Sequence, residues 1–182
     1  FDTKDEALMA EISPKDVMTL RNRTTLPMMD CKAALIEAGG DMEKAEELLR
    51  KKLKGKMDTR TDRAAGEGRI GVAVSDDHTS AAIIEVRAES DFTAKNDAFV
   101  AMVQKVAKLA LKSPAGTIAA TPEISAAIDE VRIATGENCS FARGFKLHGT
   151  AGSTHFGTYV HHDGKTGSIV QGEKGAAPET LR

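Results

Sequence analysis

The sequence has no tryptophan, one tyrosine and an aromatic content of 4%. Single-stranded nucleic acid is usually held by stacking bases on aromatic rings, so this chain is a poor platform for it. There are two cysteines, Cys31 and Cys139, far apart and in no CxxC pair. A disulfide scaffold and a cysteine-rich zinc site are thereby excluded, and a reducing, cytoplasmic setting is expected. Long apolar runs are missing too: the most apolar stretch, 99–111, is interrupted by Gln104, Lys105 and Lys108, so no membrane segment is expected. Nor is one sign of charge in excess. Lys and Arg number 25 against 27 Asp and Glu, a net charge of −2, which excludes a globally basic nucleic-acid binder but not a local basic patch.

Catalytic signatures are absent as well. No GxxxxGK[ST] loop, no GxGxxG after a strand, no GxSxG elbow and no HExxH occurs. His161-His162-Asp163 invites a metal reading, but adjacent residues on a strand point to opposite faces, so both imidazoles do not readily share one ion. Glu85 and Glu89 have no nucleophile or histidine partner, and His148 and His155 read as surface residues. The expectation is no catalytic residue, no cofactor and no metal.

What is present is a chain of 182 residues, 41% apolar and 29% charged, enough for one domain or two small ones. Residues 1–9 read as a leader or tag remnant, since the chain starts at Phe1 and Met9 looks more like a natural start. Residues 10–52 read as a helical module. Ser13-Pro14-Lys15-Asp16 opens a helix with a capping serine, a proline in the first turn and an acid. Pro27 breaks it and opens a second, with Met28, Cys31, Leu35 and Ala38 at helical spacing. Gly39-Gly40 ends that one, and Asp41 caps a third that turns Met42, Ala45, Leu48 and Leu49 to one side. Residues 53–68 read as a basic linker, continuing a run from Arg50. A solvated helix end explains that run better than a nucleic-acid patch.

From Gly68 the period changes. Ile70, Val72 and Val74 alternate, Asp76 to Thr79 turn, and 81–86 return, which predicts a β-hairpin. Residues 91–111 read as a helix with Phe99, Val103, Val106 and Ala110 in one stripe, and Thr121-Pro122-Glu123 opens another. A second hairpin is predicted at 157–170. An offset of 86 places Gly71 on Gly157, Val74 on Val160, Asp77 on Asp163 and Ile83 on Ile169 without a gap. That pattern predicts an internal duplication: a first core subdomain at 69–150 and the start of a second at 151–182, truncated soon after Pro178-Glu179 begins a helix. The fold class is α+β.

Two segments stand out for function. Pro27-Met28-Met29-Asp30 puts two methionines at a helix start. Residues about 100° apart on a helix cannot both point inward, so one is expected in the core and one as an adaptable contact. Ser90-Asp91-Phe92 lies at a strand-to-helix corner, with Ser90 or Asp91 as the cap. Composition alone favours Phe92 as a hydrophobic plug of that corner; the other reading is an exposed aromatic wedge beside a carboxylate.

At these residues the sequence resembles the bacterial elongation factor Ts family, guanine-nucleotide exchange factors for elongation factor Tu. The likeness lies in 20–24, Met28-Met29-Asp30-Cys31-Lys32-Ala33-Ala34-Leu35 and 38–45. It continues in Ser90-Asp91-Phe92-Thr93-Ala94-Lys95-Asn96, similar to a second family signature, and in Gly136-Glu137-Asn138. Thr25-Leu26-Pro27 departs from a usual Gly-Ala-Gly, Thr93 from a usual Val and Ser90 from a usual Thr.

The resemblance implies a three-helix module similar to ubiquitin-associated (UBA) domains, then two related α+β subdomains. It implies that Arg21, Met28 and Met29 dock on the nucleotide-binding domain of elongation factor Tu. Asp91 and Phe92 would approach its switch region, Phe92 inserting near the magnesium site, and His161 would help displace the phosphate-binding loop. The implied activity is non-enzymatic release of GDP, with self-association left open. The alternatives are a UBA-like module with an α+β domain that binds another protein or RNA through 50–63, and a hydrolase or metal enzyme at 161–163. The hydrolase or metal enzyme lacks a nucleophile and ligand spacing, and the UBA-like binding module leaves the ordered signatures unexplained.

Overall fold

The computed structural model describes residues 12–24, 26–59 and 61–173. The expected leader at 1–9, Thr25 and the helix opening at Pro178-Glu179 lie outside the described residues. The chain divides into two compact units, Phe1–Thr61 and Asp62–Arg182.

The first unit holds three helices, α1 (Pro14–Thr24), α2 (Met28–Glu37) and α3 (Met42–Asp58). Ser13 caps α1: its Oγ accepts from the Asp16 N–H at 3.1 Å and donates to the Asp16 carboxylate at 2.8 Å. Beyond α2 the chain turns through Gly39 and Gly40, both at positive φ, and the Gly40 N–H returns to the Leu35 carbonyl at 2.8 Å. Asp41 then accepts from the Lys44 N–H at 3.0 Å and starts α3. Val17, Leu20, Leu26, Cys31, Ala34, Leu35, Ala45 and Leu49 form the core. The third helix continues to Asp58, well into the stretch expected to be linker. Leu53 still packs against the core, and the lysines around it are good helix formers near a helix C-terminus.

The second unit is built on an antiparallel sheet of β1 (Glu67–Val74), β2 (Ser80–Ala88), β3 (Gly116–Thr117) and β4 (Ser140–His148), in the order β1-β2-β4-β3. The sequence reading missed β3 and β4. In β4, Arg143 interrupts the apolar row of Phe141, Phe145 and Leu147, and the opposite row holds Gly144 and Lys146, so the apolar alternation is broken. A register shift between Glu85 and Val86 also bulges β4 against β2. The helix expected at 91–111 is two helices, α4 (Asp91–Lys95) and α5 (Asp97–Ala110). Asn96 separates them at ψ 136° and caps α5, accepting from the Ala98 N–H at 2.8 Å. The last helix, α6 (Pro122–Thr135), starts at Thr121, which accepts from the Ile124 N–H at 3.3 Å.

Helices α5 and α6 share one core with the sheet. Phe99, Val103 and Val106 from α5 and Ile124 and Ile128 from α6 meet Ile84 and Val86 of β2. Gly71 allows the close approach: a Cβ there would lie 2.8 Å from Val103 Cγ1 and 3.0 Å from the Val103 carbonyl oxygen.

The second hairpin, β5 (His155–Val160) and β6 (Gly167–Gly172), forms its own two-stranded sheet. It packs on β1 within the same unit: the Ile70 N–H donates to the Gly164 carbonyl at 2.8 Å, and Lys165 Nζ pairs with Glu67 at 2.7 Å. Gly164 sits at φ 72°, and a Cβ there would run into the Arg69 guanidinium.

The two hairpins match in detail. Gly71 pairs with Ile84 and Gly157 with Val170; Val74 pairs with Ala81 and Val160 with Gly167. Each turn closes alike, Ser75 N–H to Ser80 O at 2.9 Å and His161 N–H to Thr166 O at 2.8 Å. Asp77 accepts from the Thr79 N–H at 3.0 Å, as Asp163 does from the Lys165 N–H at 2.8 Å. His78 at φ 55° stands where the second turn has Gly164.

Phe99 is fully buried between helix and sheet. Phe99→Ala is expected to destabilise the second unit by roughly 3–5 kcal/mol, the usual cost of deleting a buried ring. Urea unfolding followed by circular dichroism checks this; a loss below about 1 kcal/mol would place Phe99 outside the core.

Candidate functional site

The strand-to-helix corner after β2 carries the most exposed large apolar side chain among the described residues: Phe92 is 84% exposed. The plug reading of Phe92 is therefore overturned. The first turn of α4 turns Thr93 and Ala94 inward instead and leaves the ring in water. A ring held out of the core forfeits a large burial gain, so local bonds must fix its place.

Those bonds converge on Ser90. It is the cap of α4: its Oγ accepts from the Thr93 N–H at 3.3 Å and donates to Glu137 Oε1 at 2.6 Å. The Ser90 N–H donates to Glu137 Oε2 at 3.0 Å. The neighbouring pair repays the contact, since the Asn138 N–H donates to Glu89 Oε1 at 2.7 Å. Asn138 Nδ2 also donates to the Arg63 carbonyl at 2.8 Å, and the Arg63 guanidinium lies 3.5 Å from Glu89. Burial alone would push the Glu137 carboxyl up, but the bonds from Ser90 and Thr93 outweigh it and hold the carboxyl below its usual range. Glu137 is thus an ionised acceptor beneath the corner. The sequence marked Gly136-Glu137-Asn138 only as a likeness. The signal for its role is the left-handed glycine at φ 71°, which ends α6 and aims the next two residues back at Glu89 and Ser90.

Asp91 pairs with Lys95 one turn on, at 2.7 Å. The hydrogen bond from Lys95 holds the Asp91 carboxyl below the ordinary aspartate range. Because the value is lowered in the folded chain, the pair is intact at neutral pH and is lost only as the pH falls through that lowered value.

His161 opens the turn of the second hairpin. Its Nδ1 lies 3.0 Å from Asp163 Oδ1, and its ring lies 4.0 Å from that of His162 between centroids. The strand argument against a shared ion does not apply here, because both histidines lie past the end of β5. Among the described residues, no three His, Cys, Asp or Glu side chains are grouped to hold a metal ion. The Lys165 N–H and His161 together lower the Asp163 carboxyl. The structure brings this turn and the Phe92 corner to one end of the sheet. Glu67 pairs across β1 and β2 with Ala88, just before the corner, and holds Lys165, whose charge also senses Asp91.

In the helical unit, Met29 is 75% and Met28 47% exposed, and Arg21 is exposed. Neither methionine is core, against the expectation that one would be. Cys31, Ala34 and Leu35 already fill the inner face of α2, and Met28 at its first turn extends past it. Burial and the nearby Glu137 charge push the Cys139 thiol up to about 11, so it stays protonated and is not a nucleophile. No described helix is long and apolar enough to cross a membrane.

A family model described as "Elongation factor TS" matches residues 89–182, which include the Phe92 corner, Glu137 and His161. The chain is 42% identical over 169 residues to the elongation factor Ts of Thiobacillus denitrificans, covering 89% of this chain and 57% of the relative. It is 43% identical over 170 residues to that of Bordetella petrii, covering 90% and 57%. To that of Streptococcus agalactiae it is 41% identical over 180 residues, covering 92% and 50%. The chain spans about half the length of the curated relatives it matches.

Lys95→Met is expected to raise the Asp91 titration midpoint toward that of an ordinary aspartate, read by carboxyl carbon NMR. An unmoved midpoint would remove Lys95 as the cause.

Proposed function

The chain belongs to the elongation factor Ts family, and we propose that it is a guanine-nucleotide exchange factor that binds elongation factor Tu·GDP and releases the GDP. The observation that carries this reading is the exposed Phe92, fixed at a bonded corner next to an ionised carboxylate. An aromatic ring in water at a rigid corner is the form of an interface anchor. In the partner, GDP is held by a magnesium ion and by the amides of the phosphate-binding loop. A wedge that shifts either set loosens the nucleotide. Asp91 and Phe92 act on the magnesium side, and His161 acts on the phosphate-loop side. Arg21, Met28 and Met29 supply a docking surface on the helical unit. Linkage makes the effect reciprocal: the factor weakens nucleotide binding, and nucleotide weakens binding of the factor. No covalent step is asked of this chain.

The three-helix unit is read as UBA-like, supported by three helices around a single small core. The two hairpins are read as copies of one unit. Supporting this is their common register and turn bonding at an offset of 86, His161 standing where the first copy has Ser75. Ser75 Oγ donates to Asp77 at 2.6 Å, and His161 Nδ1 takes up the same position toward Asp163. On this reading one substitution on an existing turn put an imidazole at the tip. Cytoplasmic location belongs to the same proposal.

The test is release of fluorescent GDP from elongation factor Tu by catalytic amounts of the chain. Acceleration is expected, and Phe92→Ala is expected to slow it by about tenfold or more, the loss typical of an anchoring aromatic, with an unchanged circular dichroism spectrum. No acceleration by the parent chain would contradict the activity. Full activity of Phe92→Ala would contradict the role of the ring.

A further inference from the structure

We infer that Glu137 is a positioning residue for exchange: its carboxylate, on the loop after α6, fixes the Ser90 cap and thereby the direction in which Phe92 projects. This deepens the exchange-factor reading and rests on it.

The geometry is specific. A serine cap needs only its Oγ acceptor to start a helix, and Ser90 provides that to Thr93. The further bonds, Ser90 N–H and Oγ–H to the two oxygens of one carboxylate, are not needed for capping. They fix the residue immediately before Asp91 and Phe92 in both position and rotation. A carboxylate accepts both bonds at once; a carboxamide presents one acceptor and one donor to the same pair. Thr93 N–H to Ser90 Oγ–H to Glu137 is a relay in which each bond polarises the next. Helix α4 is five residues long and cannot hold itself in water, so its orientation depends on such outside ties. Glu137 is 47 residues from Ser90 in sequence and does not depend on the ring for its own bonds.

The role is distinct from a general contribution to stability, because it acts through the corner that Ser90 opens, and chiefly through the ring that the corner carries. Exchange rates are therefore measured for the parent chain, Glu137→Ala, Glu137→Gln, Phe92→Ala and the double variant Glu137→Ala/Phe92→Ala, using fluorescent GDP on elongation factor Tu. Glu137→Ala is expected to lower the maximal release rate by roughly tenfold, the scale of losing a charge-assisted hydrogen-bond acceptor, with Glu137→Gln intermediate. In the Phe92→Ala background the same change is expected to have little further effect, because there is no ring left to aim. Equal losses in both backgrounds would overturn the inference, as would full activity of Glu137→Ala. Hydrogen exchange gives a readout independent of activity: the Ser90 amide is expected to lose protection in Glu137→Ala while core amides such as Val103 keep theirs. Loss at both sites would mark general unfolding and overturn the positioning role. If the parent chain fails to release GDP, the functional reading falls and the role with it. Loss of protection confined to Ser90 would then still separate that failure from an absent clamp.

Discussion

The bond between Ser90 and Glu137 is the constraint on which the rest of the site depends. A phenyl ring 84% exposed gains nothing from the core beneath it, so its place is set by the backbone that carries it. That backbone is a single turn of helix at the end of a strand. Ser90 ties the turn to itself through Thr93 and to the opposite loop through Glu137. The adjoining bond from Asn138 to Glu89 closes the contact from the other side. Two short sequence segments, separated by a whole helix pair, become one rigid corner.

The core makes that corner useful. Helices α5 and α6 cover one face of the sheet, and the absent side chain of Gly71 lets α5 lie close on β1. The strand ends are thereby fixed, and the corner projects from a packed body. The second hairpin adds its turn at the same end through the Gly164 carbonyl and the Lys165–Glu67 pair. Exposed ion pairs of this kind contribute little to stability. Their effect is on placement: Lys165 lies within electrostatic reach of both Asp163 and Asp91.

Much of this was legible before the structure. The caps at Ser13 and Asp41, the helix opening at Thr121 and the choice between Ser90 and Asp91 follow from local chemistry, and the structure places the last cap on Ser90. The first hairpin showed in its alternation, and the second in its offset from the first. The failures have physical causes. β4 hid because Arg143 interrupts its apolar row and because a bulge, which no residue type marks, sets Phe141 and Arg143 against the consecutive residues Val86 and Glu85 of β2. The helix break at Asn96 is one residue wide, too short for a periodicity argument. Whether Phe92 plugs or projects depends on which side of the first turn faces the sheet, and composition does not carry that. Glu137 escaped because its partner is distant in sequence and its type is ordinary.

The most direct test of the central claim is whether the Phe92 ring passes from water into an interface. Fluorine-labelled phenylalanine gives six reporters in this chain, and Phe92→Leu assigns the relevant one. Its solvent isotope shift between light and heavy water is compared for the free chain and for the chain bound to nucleotide-free elongation factor Tu. The account predicts a large shift in the free chain that collapses in the complex, while the shift of buried Phe99 stays small in both. A Phe92 resonance that keeps its full solvent shift in a formed complex would contradict it.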